Sequence, residues 1–165
     1  MSIDWIRGNH DFALGPFLEK DLGVSVHTQL QVDLGGKRYL LAHGDEADRT
    51  LGYRATRTVL RSQLFGAFMR ALGPARARSL GETLAEASHD QYGPIDSLLE
   101  AQATWAKPYL AADVDVVVVG HSHTPGIQML AGGKLITLGD FMVHHTWLAV
   151  DGEPELREFN PSRRD

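Results

Sequence analysis

The segment "GHSHTP", Gly120 to Pro125, places His121 and His123 one residue apart, directly after the apolar run "VDVVVV". Two imidazoles at i, i+2 on extended backbone point the same way, which is the arrangement that chelation of a metal ion needs. Two further stretches share the pattern of a glycine beside polar residues that follow apolar ones. They are "GNHD", Gly8 to Asp11, and "HGD", His43 to Asp45. Any one of these is simply how a strand turns, because glycine with Asn or Asp is common turn chemistry. Three in a row, holding four of the eight histidines (His10, His43, His121 and His123), point to a metal site rather than to three turns. With no cysteine in the chain, such a site must use nitrogen and oxygen ligands, and no disulfide is possible.

The elements that would position these residues can be read from periodicity. Val116–Val119 does not alternate with polar residues, the pattern of a strand buried on both faces of a largely parallel, helix-covered sheet. In such sheets ligands gather beyond the carboxyl ends of strands. "SIDWIR" reads as a short buried strand ending at Gly8, with a brief helix from Pro16 to Asp21. In "VHTQLQVDL" apolar and polar residues alternate as in one half-buried strand, and Gly35-Gly36 turns it into "KRYLLAHG". Residues 49–111 carry helical patterns broken near Gly73-Pro74 and Gly93-Pro94. "IQML", "KLITLG" and "HTWLAV" close the chain as strands.

At 165 residues and 43% hydrophobic content, one domain with a real core is expected. The net charge of −5 argues against nucleic-acid binding, and no apolar run is long enough to span a bilayer. Nor does the N-terminus read as a secretion signal, so a cytoplasmic protein is expected. Seven of the twelve arginines nevertheless fall between Arg49 and Arg78. Arg54, Arg57 and Arg61 stand at i, i+3, i+7, on one helix face. Leu60, Leu64, Phe65, Phe68, Met69 and Leu72 form an apolar stripe on another. One reading is a stripe packed on the domain with solvated arginines outside. The other is a lid that grips a lipid with an anionic head, or an interface-lying helix.

"GNHD", "HGD" and "GHSH", in that order, resemble the calcineurin-like metallophosphoesterase superfamily. The chain is most similar there to the UDP-2,3-diacylglucosamine pyrophosphatases of lipid A synthesis, from "IRGNHDF" through "LLAHGDEADRTLGYRATR" and "GHSHTP" to "LGDFMVHHTWLAV". The resemblance implies an α/β fold, a calcineurin-like β-sandwich flanked by helices, with residues 49–111 as a helical cap inserted in a single domain over 1–165. It implies two divalent ions, manganese by the family habit, with Asn9, His43 and His121 as ligands of one and His123 of the other. His10 would steady the phosphate or protonate the leaving group, in a position where some of these pyrophosphatases carry Arg. Asp11 would be an orienting carboxylate, and Asp45 would hold an imidazole in its tautomer. Arg54, Arg57 and Arg61 would serve the substrate from the cap.

The implied reaction cleaves UDP-2,3-diacylglucosamine to UMP and 2,3-diacylglucosamine 1-phosphate, with the enzyme lying on the inner face of the inner membrane. Two other readings stay open: a broad metallophosphoesterase acting on soluble phosphoesters, and a catalytically inactive fragment. The superfamily places a D-x-H and a G-D motif ahead of "GNHD", and neither occurs here. They belong to N-terminal β-α units, so a site without a carboxylate ligand is expected, whether through a misplaced start, a fragment or degeneration. His144, His145, His27 and His89 are expected at packing or surface positions, and Asp140 in a turn or cap.

Overall fold

The computed structural model describes residues 2–11, 17–48, 50–89 and 94–160, and leaves the side chains of 51 and 85–89 undescribed. Arg49, Pro16 and Gly93 and the side chain of His89 lie outside the described residues.

The four valines explain the architecture. Val116–Val119 form β5, the middle strand of a five-stranded sheet ordered β3-β4-β5-β7-β6. The other strands are β3 Gln29–Leu34, β4 Lys37–Ala42, β6 Pro125–Leu130 and β7 Gly133–Leu138. β5 runs parallel to β4 and β7, while β3 and β6 join antiparallel at the edges. Because side chains alternate across a strand, Val116 and Val118 face one side and Val117 and Val119 the other. Val117 and Val119 pack with Leu40, Leu135, Ala103, Trp105, Ala106 and Leu110, the last four from helix α5, Ile95–Leu110. Val116 and Val118 pack with Tyr39 and Ile136 under Leu148, Val150 and Leu156. Those last three come from the hairpin of β8, Thr146–Asp151, and β9, Glu153–Glu158. The strand admits no polar residue because both faces are core. The expected α/β sandwich is therefore present, with one correction: a helix covers one face and a β-hairpin the other.

The remaining strands also depart from expectation. β1, Ile3–Ile6, pairs in parallel with β2, Val24–His27, in a two-stranded sheet of their own. It is not buried: Ile3 and Trp5 are 49% and 41% exposed. The alternating stretch 26–34 is not one strand, because the chain changes sheets at Thr28. A short helix, α1 Phe17–Lys20, lies between β1 and β2.

The helical segment divides in two. α2 Leu51–Leu60, α3 Gln63–Leu72 and α4 Pro74–His89, in the segment expected as a cap, add none of their described residues to the two core clusters, whereas α5 belongs to the core. The break at Gly73-Pro74 follows the expected chemistry, with Gly73 at positive φ ending α3 and Pro74 opening α4. A further break lies at Arg61-Ser62, where the Ser62 hydroxyl accepts from the Phe65 N–H at 3.1 Å and caps α3. On α3 the apolar stripe is only partly used. Met69 is buried, but Leu64 and Phe68 are 84% and 50% exposed. Among the described residues no helix is long and apolar enough to cross a membrane.

Candidate metal centre

β4 and β5 are parallel neighbours, so their carboxyl ends meet, and both end in the expected loops. His43 follows β4 and Gly120 to His123 follow β5, with the Gly120 N–H donating to the His43 carbonyl at 2.9 Å. The ring centroids of His43 and His121 are 5.1 Å apart, edge to face. Asn9 arrives from the end of β1, its Oδ1 2.9 Å from His43 Nε2. Residues as distant in sequence as 9, 43 and 121 thus meet at one sheet end.

Close backbone approach makes this possible. A Cβ on Gly8 would stand 3.0–3.2 Å from three atoms of the His43 ring. Gly44 takes φ +103, and a Cβ there would lie 2.6 Å from Gln102 Nε2. At Gly44 the backbone sign and the contact both call for glycine, while at Gly8 a side chain would press on the His43 ring.

Burial sets the electrostatics. It pushes the His43 imidazole below its ordinary range. It lowers His121 to about 4, with the neighbouring His43 adding to the effect. Both rings are therefore neutral near pH 7 and keep a lone pair for a Lewis acid.

His123 departs from the expected geometry. His121 and His123 both have positive φ, at 64° and 55°, and the Ser122 N–H donates back to the Gly120 carbonyl at 2.7 Å. The loop is tightly turned rather than extended, so the alternation that would set both rings on one side does not operate here. His121 is buried and His123 is exposed. Left-handed conformations at non-glycine residues carry strain and concentrate at functional sites. Two so close together fit a loop shaped by its function.

In "GNHD", Asp11 Oδ2 accepts from the Gly8 N–H at 2.9 Å and from Trp5 Nε1 at 3.1 Å. What it orients is the loop that carries Asn9. His10 is exposed, its Nε2 3.3 Å from Asn9 Nδ2.

Asp45 does not hold an imidazole. Its Oδ2 accepts from Tyr53 Oη at 3.0 Å, Arg57 Nε at 3.1 Å and Arg61 at 3.2 Å. Nor do the three arginines act alike: Arg54 is exposed, while Arg57 and Arg61 turn inward. Asp140 forms a turn, accepting from the N–H groups of Met142 and Val143 and contacting His144 Nδ1 at 2.6 Å. That holds both residues in the loop before β8, and His145, at φ 52°, lies there too. His27 contacts Asp4 at 2.8 Å across β1 and β2.

Gln102 is the residue the sequence reading missed. It is fully buried, and its Nε2 donates to the Gly120 carbonyl at 3.0 Å while abutting Gly44. From α5 it thus braces the turns after His43 and before His121 together. The signal was a glutamine on an otherwise apolar helix stripe with Trp105, Ala106 and Tyr109.

As a metal shell the cluster is incomplete. Among the described residues no three His, Asp or Glu side chains stand close enough to hold an ion. Two neutral imidazoles and one amide oxygen suit a single borderline divalent cation with water completing its shell. They do not suit a pair of ions, which needs carboxylates to offset and bridge the charge.

No family model matches the chain. Curated relatives do. A UDP-2,3-diacylglucosamine hydrolase of Porphyromonas gingivalis is 30% identical over 92% of the chain and 66% of its own length. One of Pseudomonas putida is 31% identical, over 91% and 66%. One of Xanthomonas campestris is 30% identical, over 92% and 67%. The chain belongs to the UDP-2,3-diacylglucosamine hydrolase family. It spans about two thirds of the length of these UDP-2,3-diacylglucosamine hydrolases.

Proposed function

We propose that the chain carries the Asn-His half of a metal-dependent phosphoric-anhydride hydrolase that splits UDP-2,3-diacylglucosamine into UMP and 2,3-diacylglucosamine 1-phosphate. The supporting observation is the meeting of Asn9, His43 and His121 at one sheet end. In this reading Asn9, His43 and His121 would hold one divalent ion, manganese by family habit, and His123 stands exposed at the rim of the same loop. A bound divalent ion would polarise a phosphoryl oxygen and lower the pKa of water at neutral pH. The chain's own groups do the rest. His43 and His121 would be ready ligands, because burial lowers both imidazoles and so favours the neutral ring. His10, exposed beside Asn9, would steady the phosphate or protonate the leaving oxygen. Leu64 and Phe68 offer apolar surface to acyl chains, and exposed Arg54 meets an anionic head. A lipid substrate places the protein at the cytoplasmic face of a membrane.

A second reading is an inactive chain that binds one ion weakly, favoured by the lack of a three-residue His/Asp/Glu shell among the described residues. Turnover separates the two. Mn2+ titration of the chain, of His43→Ala and of His121→Ala should give one site, weakened by both substitutions. UMP release from UDP-2,3-diacylglucosamine should follow Mn2+ occupancy. Mn2+ binding indifferent to both substitutions would end the metal reading. Two tightly held ions would redirect it to Asp11 or Asp140 as ligands.

A further inference from the structure

The cap has its own attachment to the candidate site. Arg57, in the last turn of α2, and Arg61, the residue that ends it, reach past the helix to both ligand-bearing loops. One nitrogen of Arg61 donates to the Gly8 carbonyl at 3.3 Å and to Asp45 at 3.2 Å. Arg57 joins Asp45 at 3.1 Å to Glu46 at 3.0 Å, and Glu46 accepts from the Gly44 N–H at 2.9 Å. Gly8 precedes Asn9, and Gly44 follows His43. Asp45 is wholly buried, and the Arg61 and Arg57 side chains are 15% and 25% exposed. Two carboxylates and two guanidiniums balance in charge, which lets the cluster exist out of water. Among the described residues α2 has no broad packing interface with the sheet or α5. The ionic cluster is therefore its main fastening there.

We propose that Arg61, with Arg57, is a positioning residue that makes the cap and the two ligand loops one mechanical unit. The cap's attitude sets the spacing of Asn9 and His43, and order at the site is transmitted to the cap. These arginines are thereby removed from substrate recognition. The inference rests on the metal reading only for the importance of that spacing. The fastening stands on contacts that need no metal. Arginine is required because one planar group must donate to acceptors on two loops, and its charge persists at all working pH values.

The test is amide hydrogen exchange on the full 165-residue chain, with Mn2+ affinity measured separately. Arg61→Met should raise exchange by about tenfold in α2 and at the Gly44 and Gly120 amides, and leave β5 and β7 amides unchanged. Arg61→Lys should recover part of that protection. Combining Asp45→Asn with Arg61→Met should add little to the worse single change, as expected for groups acting in one network. Mn2+ affinity should fall in Arg61→Met and partly return in Arg61→Lys. Faster exchange in α2 alone, with Gly44 and Gly120 unmoved, would reduce Arg61 to a helix anchor and overturn the proposal. So would a uniform rise that includes β5, which would mark general fold support. Should Arg61→Met fail to fold, Arg61→Lys against the unaltered chain decides by the same pattern. If the unaltered chain binds no Mn2+, the metal reading fails, and the exchange pattern still decides the fastening.

Discussion

Replacing Gln102 by leucine separates support of the site from support of the fold. The substitution keeps side-chain volume and removes the amide. The Gly120 carbonyl then loses its 3.0 Å donor and keeps the Ser122 N–H at 2.7 Å. Losing one of two hydrogen bonds costs about 0.5–1.5 kcal/mol. The amide's own Oε1, however, is buried without a protein donor among the described residues, and leucine removes that liability too. The second term offsets the first, so the net change in stability should stay below about 1.5 kcal/mol. For a chain of this size that is a fall in Tm of no more than about 5 °C. Metal affinity should respond more strongly, because groups that orient ligands typically contribute about 10–100-fold. Thermal unfolding without metal and Mn2+ titration read the two effects separately. A Tm loss beyond about 10 °C would show that the amide mainly holds the fold, since that is several times the net cost estimated above. Unchanged Mn2+ affinity would show that the brace on Gly120 is irrelevant to the ligands.

Gly44→Ala should cost at least about 2 kcal/mol in urea unfolding, because φ +103 and a contact at 2.6 Å coincide there. A loss below half of that would mean the turn relaxes freely. Glu153 is held at about 2 by Lys37 and Lys134, and Asp140 at about 2 by His144 and the neighbouring N–H groups. Both are below the ordinary carboxylate range. Their contribution to stability is therefore full above about pH 5 and lost as pH falls from there toward 2, and Glu153→Gln with Asp140→Asn should flatten that part of the stability–pH curve. Leu64→Glu, at 84% exposure, should change stability by less than about 0.5 kcal/mol yet weaken use of a diacylated substrate. Equal losses on a small phosphodiester would remove Leu64 from lipid recognition.

Much of this was legible because period-2 and all-apolar patterns report burial directly. Val116–Val119 and the Gly35-Gly36 hairpin appear where alternation and turn chemistry place them. What periodicity cannot express is which sheet a strand joins. The stretch 26–34 keeps its alternation straight through Thr28, although the chain changes sheets there. Spacing also says nothing of backbone sign. His121 and His123 at i, i+2 suggest a shared side only on extended backbone, and both have positive φ. The inward contacts of Arg57 and Arg61 were out of reach for a related reason. Helical phase gives the face, but whether that face meets water or a buried carboxylate depends on Asp45, in a separate loop. Gln102 escaped because a lone polar residue in an apolar stripe gives no hint of its partner.

β4 and β5 lie side by side, yet everything from His43 to Asp115 intervenes between them. In chain-entropy terms the cap is a long detour in a crossover connection. Closure of such a loop grows only logarithmically with its length, and a doubling costs about 0.6 kcal/mol. Helices can accordingly be added to or removed from the detour over evolutionary time at small cost to the sheet. Folding speed bears the burden instead, since the central parallel pairing must wait until the whole detour is gathered in.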